Sequence, residues 1–239
     1  MIIRVIDLSG PLHPGMWSYN ILPNLGRQLP DFEVVQVATR EAQGFEAFSL
    51  SLSTVTGTYI ETGGHMLPGM PNLSDLGPSA FVRPAVVCHV PHKEPQALIR
   101  RAELEANCPP VEEGDALLID CGWGAQWRSP GYVTHGPALH VDCLPWLLTQ
   151  PFSILGVDVP CIETARSRPH DAVGETGNML IPLFRRGALL LAPLVNLDSI
   201  GVPRGRLIAL PLAVEDVSGA PCRAIYLEEY STVDDTIGG

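Results

Sequence analysis

The side chains best placed for chemistry in this sequence stand close together. They are Tyr59, Glu61 and His65, inside the stretch Thr54-Val-Thr-Gly-Thr-Tyr-Ile-Glu-Thr-Gly-Gly-His65. An imidazole with an ordinary pKa near ~6.5 moves protons at neutral pH, and a neighbouring carboxylate orients it and tunes that pKa. Glu61 precedes His65 by four residues and Tyr59 precedes it by six, so a single turn of backbone can bring the three together. The chemistry they offer is general acid–base catalysis. The plain alternative is a hydrogen-bonded loop histidine with no part in turnover.

No other group competes strongly. His13, His89, His92, His135 and His140 are scattered singly, and His170-Asp171 in a long loop is the best of the remainder. Ser9 and Ser53 have no base beside them, which weakens a serine-hydrolase reading. Six cysteines, at 88, 108, 121, 143, 161 and 222, show no C-x-x-C spacing and read as reduced, mostly buried thiols. No glycine-rich phosphate loop of the G-x-G-x-x-G or Walker kind is present, so no nucleotide cofactor is expected.

The elements that must hold these residues are short apolar runs bounded by Gly, Pro and Asp. Ile2 to Ile6, Phe48 to Ser53, Ala85 to Val90, Ala116 to Ile119, Phe152 to Val157, Ala188 to Leu191, Leu207 to Leu210 and Arg223 to Leu227 read as buried strands. Pro95 to Ala106 and Val141 to Leu148 read as amphipathic helices, the second with Asp142 near its start and Pro145 in its first turn. Long connections at 11–26, 63–78 and 163–177 are rich in Pro and Gly, and loops of that length tend to carry function. With no repeat and no low-complexity linker, the 239 residues read as one α/β domain.

Composition narrows the partners. A net charge of −11 with 15 scattered basic residues argues against nucleic acid. No run approaches the ~20 apolar residues that span a bilayer, and the first residues lack a signal-peptide pattern, so a cytoplasmic protein with a small-molecule substrate is expected.

The motif and its surroundings resemble the cyclase family, the metal-dependent group that includes bacterial kynurenine formamidase and isatin hydrolase. The pattern H-x-G-T-H-x-D-x-P-x-H falls on Val55, Gly57, Thr58, Tyr59, Glu61, Gly63 and His65. Further likeness lies in Ile6-Asp-Leu-Ser-Gly-Pro-Leu12, Phe81-Val-Arg-Pro-Ala-Val-Val87, Gly114-Asp-Ala-Leu-Leu-Ile119 with Gly122-Trp123, Gly156-Val-Asp-Val-Pro160 and the closing strands around Ala209 and Pro221. The resemblance implies the family's swivelling β/β/α fold and a homodimer or homotetramer whose subunits complete one another's pockets. It also implies that His65 is the acid–base group and that Trp17, Val55, Thr58, Leu180 and Phe184 border the substrate.

In the family pattern the first two histidines and the aspartate bind divalent metal, with a later histidine and glutamate completing the set. Those positions carry Val55, Tyr59 and Glu61, and then Leu180 and Ala192. A catalytic metal needs about three protein donors, and a phenol of pKa near ~10 is a poor one. No metal is therefore expected at the inherited site, and no cofactor elsewhere. A rebuilt site from Glu61, His65, His170 and Glu175 is the alternative. Three readings follow. One is a metal-independent enzyme performing cyclisation, dehydration or isomerisation on an apolar, polyketide-like or aromatic metabolite of secondary metabolism. The second is a metal-dependent amidase or lactone hydrolase with altered ligands. The third is a non-catalytic ligand-binding member.

Overall fold

The computed structural model describes residues 2–22, 28–163 and 179–230. Its centre is a seven-stranded barrel. The strands are β4 (Tyr59–Glu61), β5 (Val82–His89), β7 (Ala116–Asp120), β9 (Ile154–Val157), β10 (Leu189–Ala192), β11 (Arg204–Pro211) and β12 (Gly219–Tyr230), in the order β12-β11-β5-β7-β9-β10-β4. Pairing of β4 with β12 closes the ring, and β1 (Ile2–Asp7) adds to the outer side of β12.

The strands β5, β7, β9 and β10 run parallel, and crossovers between them carry α2 (Arg101–Asn107), α3 (Cys143–Thr149) and α4 (Leu180–Arg185). Parallel strands of this kind are buried on both faces, which is why Ala-Leu-Leu-Ile-Asp of β7 is an unbroken run. One core fills the barrel, with Ile6, Ile60, Leu118, Leu191, Leu207 and Tyr226 among its members. A second core lies between the outer face of the parallel strands and the helices, joining Leu117, Leu155 and Leu190 to Leu104, Leu147 and Leu183.

A separate hairpin stands off this body. Its strands are β2 (Glu33–Ala38) and β3 (Ala47–Ser51), joined through the short helix α1 (Arg40–Gln43). Two further strands, β6 (Leu98–Ile99) and β8 (Ala138–Leu139), pair parallel to each other.

All eight apolar runs read from the sequence are strands or parts of strands, with shifted ends. The helix expected from Pro95 starts later, at Arg101. Leu98–Ile99 is drawn into pairing with β8, and Glu103 caps the Arg100 N–H at 2.8 Å, so tertiary pairing overrides the local pattern. The second helix begins at Cys143. Strands β2, β4 and β8 were not foreseen. All six cysteines are free, Cys88, Cys121 and Cys143 fully buried and the others partly so. Among the described residues no helix is long and apolar enough to cross a membrane.

Candidate active site

Strand β4 is three residues long and held on both sides. Tyr59 lies opposite Ala192 and Pro221, and Glu61 opposite Leu190 and Gly219. Side chains alternate along a strand, so Ile60 enters the barrel while Tyr59 and Glu61 face the layer of helices and loops. Gly219 permits that pairing, because a Cβ there would lie 3.1 Å from the Cβ of Glu61.

The chain then turns sharply. The Thr62 hydroxyl accepts the Gly64 N–H at 3.2 Å and donates to the Pro71 carbonyl at 2.5 Å, fixing a single 3-10 turn over Gly63–His65. Both glycines are required by close approach: a Cβ on Gly63 would meet the Phe184 Cβ at 3.1 Å, and one on Gly64 the Pro71 carbonyl at 3.0 Å. The turn brings His65 back over the end of the strand, with Nδ1 3.6 Å from Glu61 Oε2. That separation is a contact and not a formed hydrogen bond.

The electrostatics of this pair follow from burial. Glu61 is 2% exposed, and its Oε2 has no hydrogen-bond partner among the described residues. Burial pushes the carboxyl up to about 8. It also pulls the His65 imidazole below its ordinary value, although 45% of that side chain remains exposed. Near pH 7 the two groups therefore face each other as a protonated acid and a neutral base.

Tyr59 is buried and meets Tyr19 edge-on, ring centroids 6.3 Å apart. Burial holds both phenols well above their ordinary values, so both stay protonated. Trp17 continues this line of rings, packing on Tyr19 at 5.6 Å and on Trp127 and Tyr132 at 5.0 Å each. Between Trp17, Tyr19, Phe32 and Val55 lies a void of about 10 Å³, room for one water. A larger open groove of about 660 Å³ runs past Leu12, Trp127 and Asn196, but Tyr59, Glu61 and His65 do not line it. Its charged pair, Asp7 and Arg223, is joined at 2.6 Å. The smaller void is not lined by Tyr59, Glu61 or His65 either; it adjoins them only through Tyr19, whose ring meets that of Tyr59.

The other residues singled out from the sequence divide. Trp17 and Val55 line the void. The Thr58 hydroxyl is taken up by the scaffold, donating to the Pro193 carbonyl at 2.7 Å and accepting the Gly10 N–H at 3.3 Å. Leu180 opens α4 and packs on the second core, its N–H given to Glu163 Oε1 at 3.3 Å. Phe184 is fully buried and supports the Gly63 turn from behind. His170 and Glu175 lie outside the described residues. Tyr19 was missed by sequence reasoning; its only signal is its place two residues after Trp17 in a Pro- and Gly-rich loop, behind the capping Ser18.

The donor set does not fit a divalent metal at the inherited position. Tyr59 and Ala192 pair across adjacent strands, with Leu180 and Val55 packed on the same core, and three of those four side chains have no donor atom. The fourth is a phenol that burial keeps protonated, and Glu61 beside it is an acid near neutral pH. Among the described residues no group of three or more His, Cys, Asp and Glu is arranged to hold a metal ion.

Comparison with known proteins agrees with this architecture. Residues 6–164 match the profile of the cyclase family, described as "Putative cyclase". A kynurenine formamidase of Bacillus cereus (strain ATCC 10987 / NRS 248) is 29% identical over 221 residues, covering 92% of this chain and 95% of its own. An isatin hydrolase of Roseibium aggregatum is 26% identical, covering 94% of this chain and 92% of its own. Isatin hydrolase A from Labrenzia aggregata bound to benzyl benzoate superposes with a TM-score of 0.78 at 20% identity, over 94% of this chain and 93% of its own. A structure described as a "novel cyclase" superposes at 0.72 with 15% identity, over 94% of this chain and 88% of its own. On the profile match and the full-length likeness to kynurenine formamidases, this chain belongs to the cyclase family.

Proposed function

We propose that this chain is a cyclase-family enzyme that works by acid–base catalysis from Glu61 and His65, without a metal at the inherited position. The observation that carries the reading is the buried Glu61 carboxyl, its Oε2 without a hydrogen-bond partner among the described residues, facing an imidazole whose basicity burial has lowered. A carboxylic acid kept neutral in an apolar site donates a proton or a hydrogen bond to a substrate oxygen. A neutral imidazole takes a proton from carbon or oxygen nearby. Together they move a proton within one molecule, which suits cyclisation, dehydration or isomerisation of a small apolar metabolite. The Tyr59 hydroxyl stands where the family pattern has a metal ligand and serves as a further hydrogen-bond donor.

Hydrolysis is the second reading, favoured by the relatives, whose names are those of amide and isatin hydrolases. Water without a metal keeps its pKa of ~15.7 and is a poor nucleophile, so this reading needs donors beyond the described residues. One measurement separates them. Chelator-treated protein should keep its turnover, and activity lost on chelation and restored by Zn²⁺ or Mn²⁺ would select the hydrolase.

We also read the chain as a homodimer or larger assembly. Val34, Val35, Val37, Phe45, Phe48 and Leu50 are all exposed on the hairpin β2–β3. Neighbours in a strand point to opposite faces, so Val34 and Val35 leave both faces of the arm apolar, beyond what an isolated soluble subunit commonly shows. Sedimentation of the wild type and of a Val35→Ser, Phe48→Ser variant tests it: the variant should sediment as a smaller species.

A further inference from the structure

The six free thiols are not alike in what they touch. Cys121 donates to Asp158 Oδ1 at 3.1 Å and Cys143 to the Ile99 carbonyl at 3.3 Å. Among the described residues only Cys88 and Cys108 meet thiol to thiol. The fold brings them together. Side chains alternate along β5, so Cys88 joins Val86 and Val90 on the face toward the helices, while Ala85 and Val87 enter the barrel. Helix α2 packs against that strand through the same core, with Leu104 fully buried. It ends at Cys108, whose N–H returns to the Leu104 carbonyl at 2.8 Å.

The two sulfurs differ in reactivity. The Cys88 S–H donates to the Cys108 sulfur, and Cys108 donates onward to the Pro109 carbonyl at 3.3 Å. A sulfur that receives a hydrogen bond gives up its own proton more readily, and thiolate is the nucleophile. That bond pulls the Cys108 thiol below its ordinary value, and the same bond, with burial, pushes Cys88 up. Exposure divides them the same way. Cys88 is fully buried, whereas Cys108 is partly open to solvent, so a reagent from outside meets Cys108 first. Cys88 is then the neighbour in place to complete an exchange. No C-x-x-C spacing announces this pair, because strand and helix packing and not local sequence makes it.

We propose that Cys108 and Cys88 form a thiol–disulfide exchange site that accepts a small disulfide such as glutathione disulfide. The Cys108 thiolate attacks one sulfur of that disulfide, forming a mixed disulfide and releasing one glutathione thiolate. Cys88 then loses its proton and attacks the Cys108 sulfur, and the second glutathione leaves as thiolate. The two released thiolates take up the protons that the two cysteines gave. Two protein thiols become one disulfide, and one glutathione disulfide becomes two glutathiones. The new bond ties the end of α2 to β5 and uses none of Tyr59, Glu61 or His65, so the assignment is independent of the acid–base reading.

Peptide mapping tests it. The folded wild type is incubated with glutathione disulfide, quenched in acid, unfolded, alkylated with iodoacetamide and digested with trypsin, which separates the two cysteines at Lys93, Arg100 and Arg101. The expected product is a Cys88–Cys108 cross-linked peptide pair, two hydrogens lighter than the two free peptides together and split by dithiothreitol. Cys88→Ser should stop at the mixed disulfide, with one glutathione on Cys108. Cys108→Ser should leave Cys88 reduced and alkylated. The wild-type map decides the matter even if a variant does not fold. Recovery of both cysteines alkylated, of a lasting glutathione adduct on Cys108 with Cys88 alkylated, or of a cross-link from either to another cysteine overturns the assignment. Uptake of glutathione by Cys88 in the folded Cys108→Ser variant overturns the order of attack and the assignment with it.

Discussion

Glu61 and Asp158 are buried alike, at 2% and 1% exposure, and serve opposite ends. The Asp158 carboxylate is surrounded by donors: Cys121 N–H at 3.1 Å, Trp123 N–H at 2.7 Å, Gly124 N–H at 3.4 Å and the Cys121 thiol at 3.1 Å. Burial, with Asp120 nearby, still pushes it up to about 7. Glu61 is pushed up to about 8 by burial alone, and its Oε2 has no hydrogen-bond partner among the described residues, with His65 Nδ1 3.6 Å away. Burial alone does not mark a functional carboxyl. What differs is satisfaction: one group holds a loop together, and the other is left able to react.

The largest effect that can sharpen this contrast is on turnover. His65→Ala should lower kcat by roughly 10²- to 10⁴-fold, with Glu61→Gln falling in the same range, while far-ultraviolet circular dichroism stays unchanged. Retained activity in both would place the chemistry elsewhere. Next comes stability, where the two carboxyls should respond with opposite sign. Asp158→Asn strands backbone N–H groups in the core and should destabilise by about 2–4 kcal/mol in urea unfolding. Glu61→Gln should stabilise the fold in alkaline buffer.

The sign follows from linkage. The Glu61 carboxyl is raised in the folded state, so its contribution is complete below the unfolded value near ~4.3 and is lost as pH rises through about 8. A glutamine has no proton to lose there, and its melting temperature should exceed that of the wild type by about 2–4 °C for each kcal/mol recovered. A melting temperature for Glu61→Gln below the wild type at pH 9 would show the carboxylate to be satisfied after all. The same titration should shape turnover. On the proposed acid–base reading, activity requires the acid protonated and the imidazole neutral, so it should fall above about pH 8, and Glu61→Gln should remove that alkaline limb. The smallest effect concerns the support of the turn. Phe184→Leu, behind Gly63, should raise KM or lower kcat by less than roughly 10-fold, since about 1–1.5 kcal/mol of packing is at stake.

The sequence made the barrel largely legible because buried strands are runs of Val, Ile and Leu, as in Ala116 to Ile119, and no helical period competes. It hid β4, since three residues carry no period and Tyr59–Glu61 becomes a strand only by pairing with chain more than 120 residues away, at Leu190 to Ala192. His65 and Glu61 stood out through their spacing. Tyr19 did not, because its hydroxyl is placed by Pro160, 141 residues further on, and no local pattern reports such a contact. The hairpin arm fell between the two cases: Phe48 to Ser53 read as buried, whereas β3 exposes Phe48 and Leu50. Apolarity announces that a surface will be covered without saying by what.

The closure of the barrel through β4 has a consequence in time. Glu61 and the backbone feeding His65 are held by β10 and β12, and β12, Gly219–Tyr230, is the last of the described strands in the order of synthesis. A nascent chain can therefore build the parallel strands and their helices before β4 is paired on both sides, and on the proposed acid–base reading turnover waits for β12 to dock. Ribosome-stalled chains ending before Gly219 should be folded in part and inert, a built-in delay between making this protein and arming it.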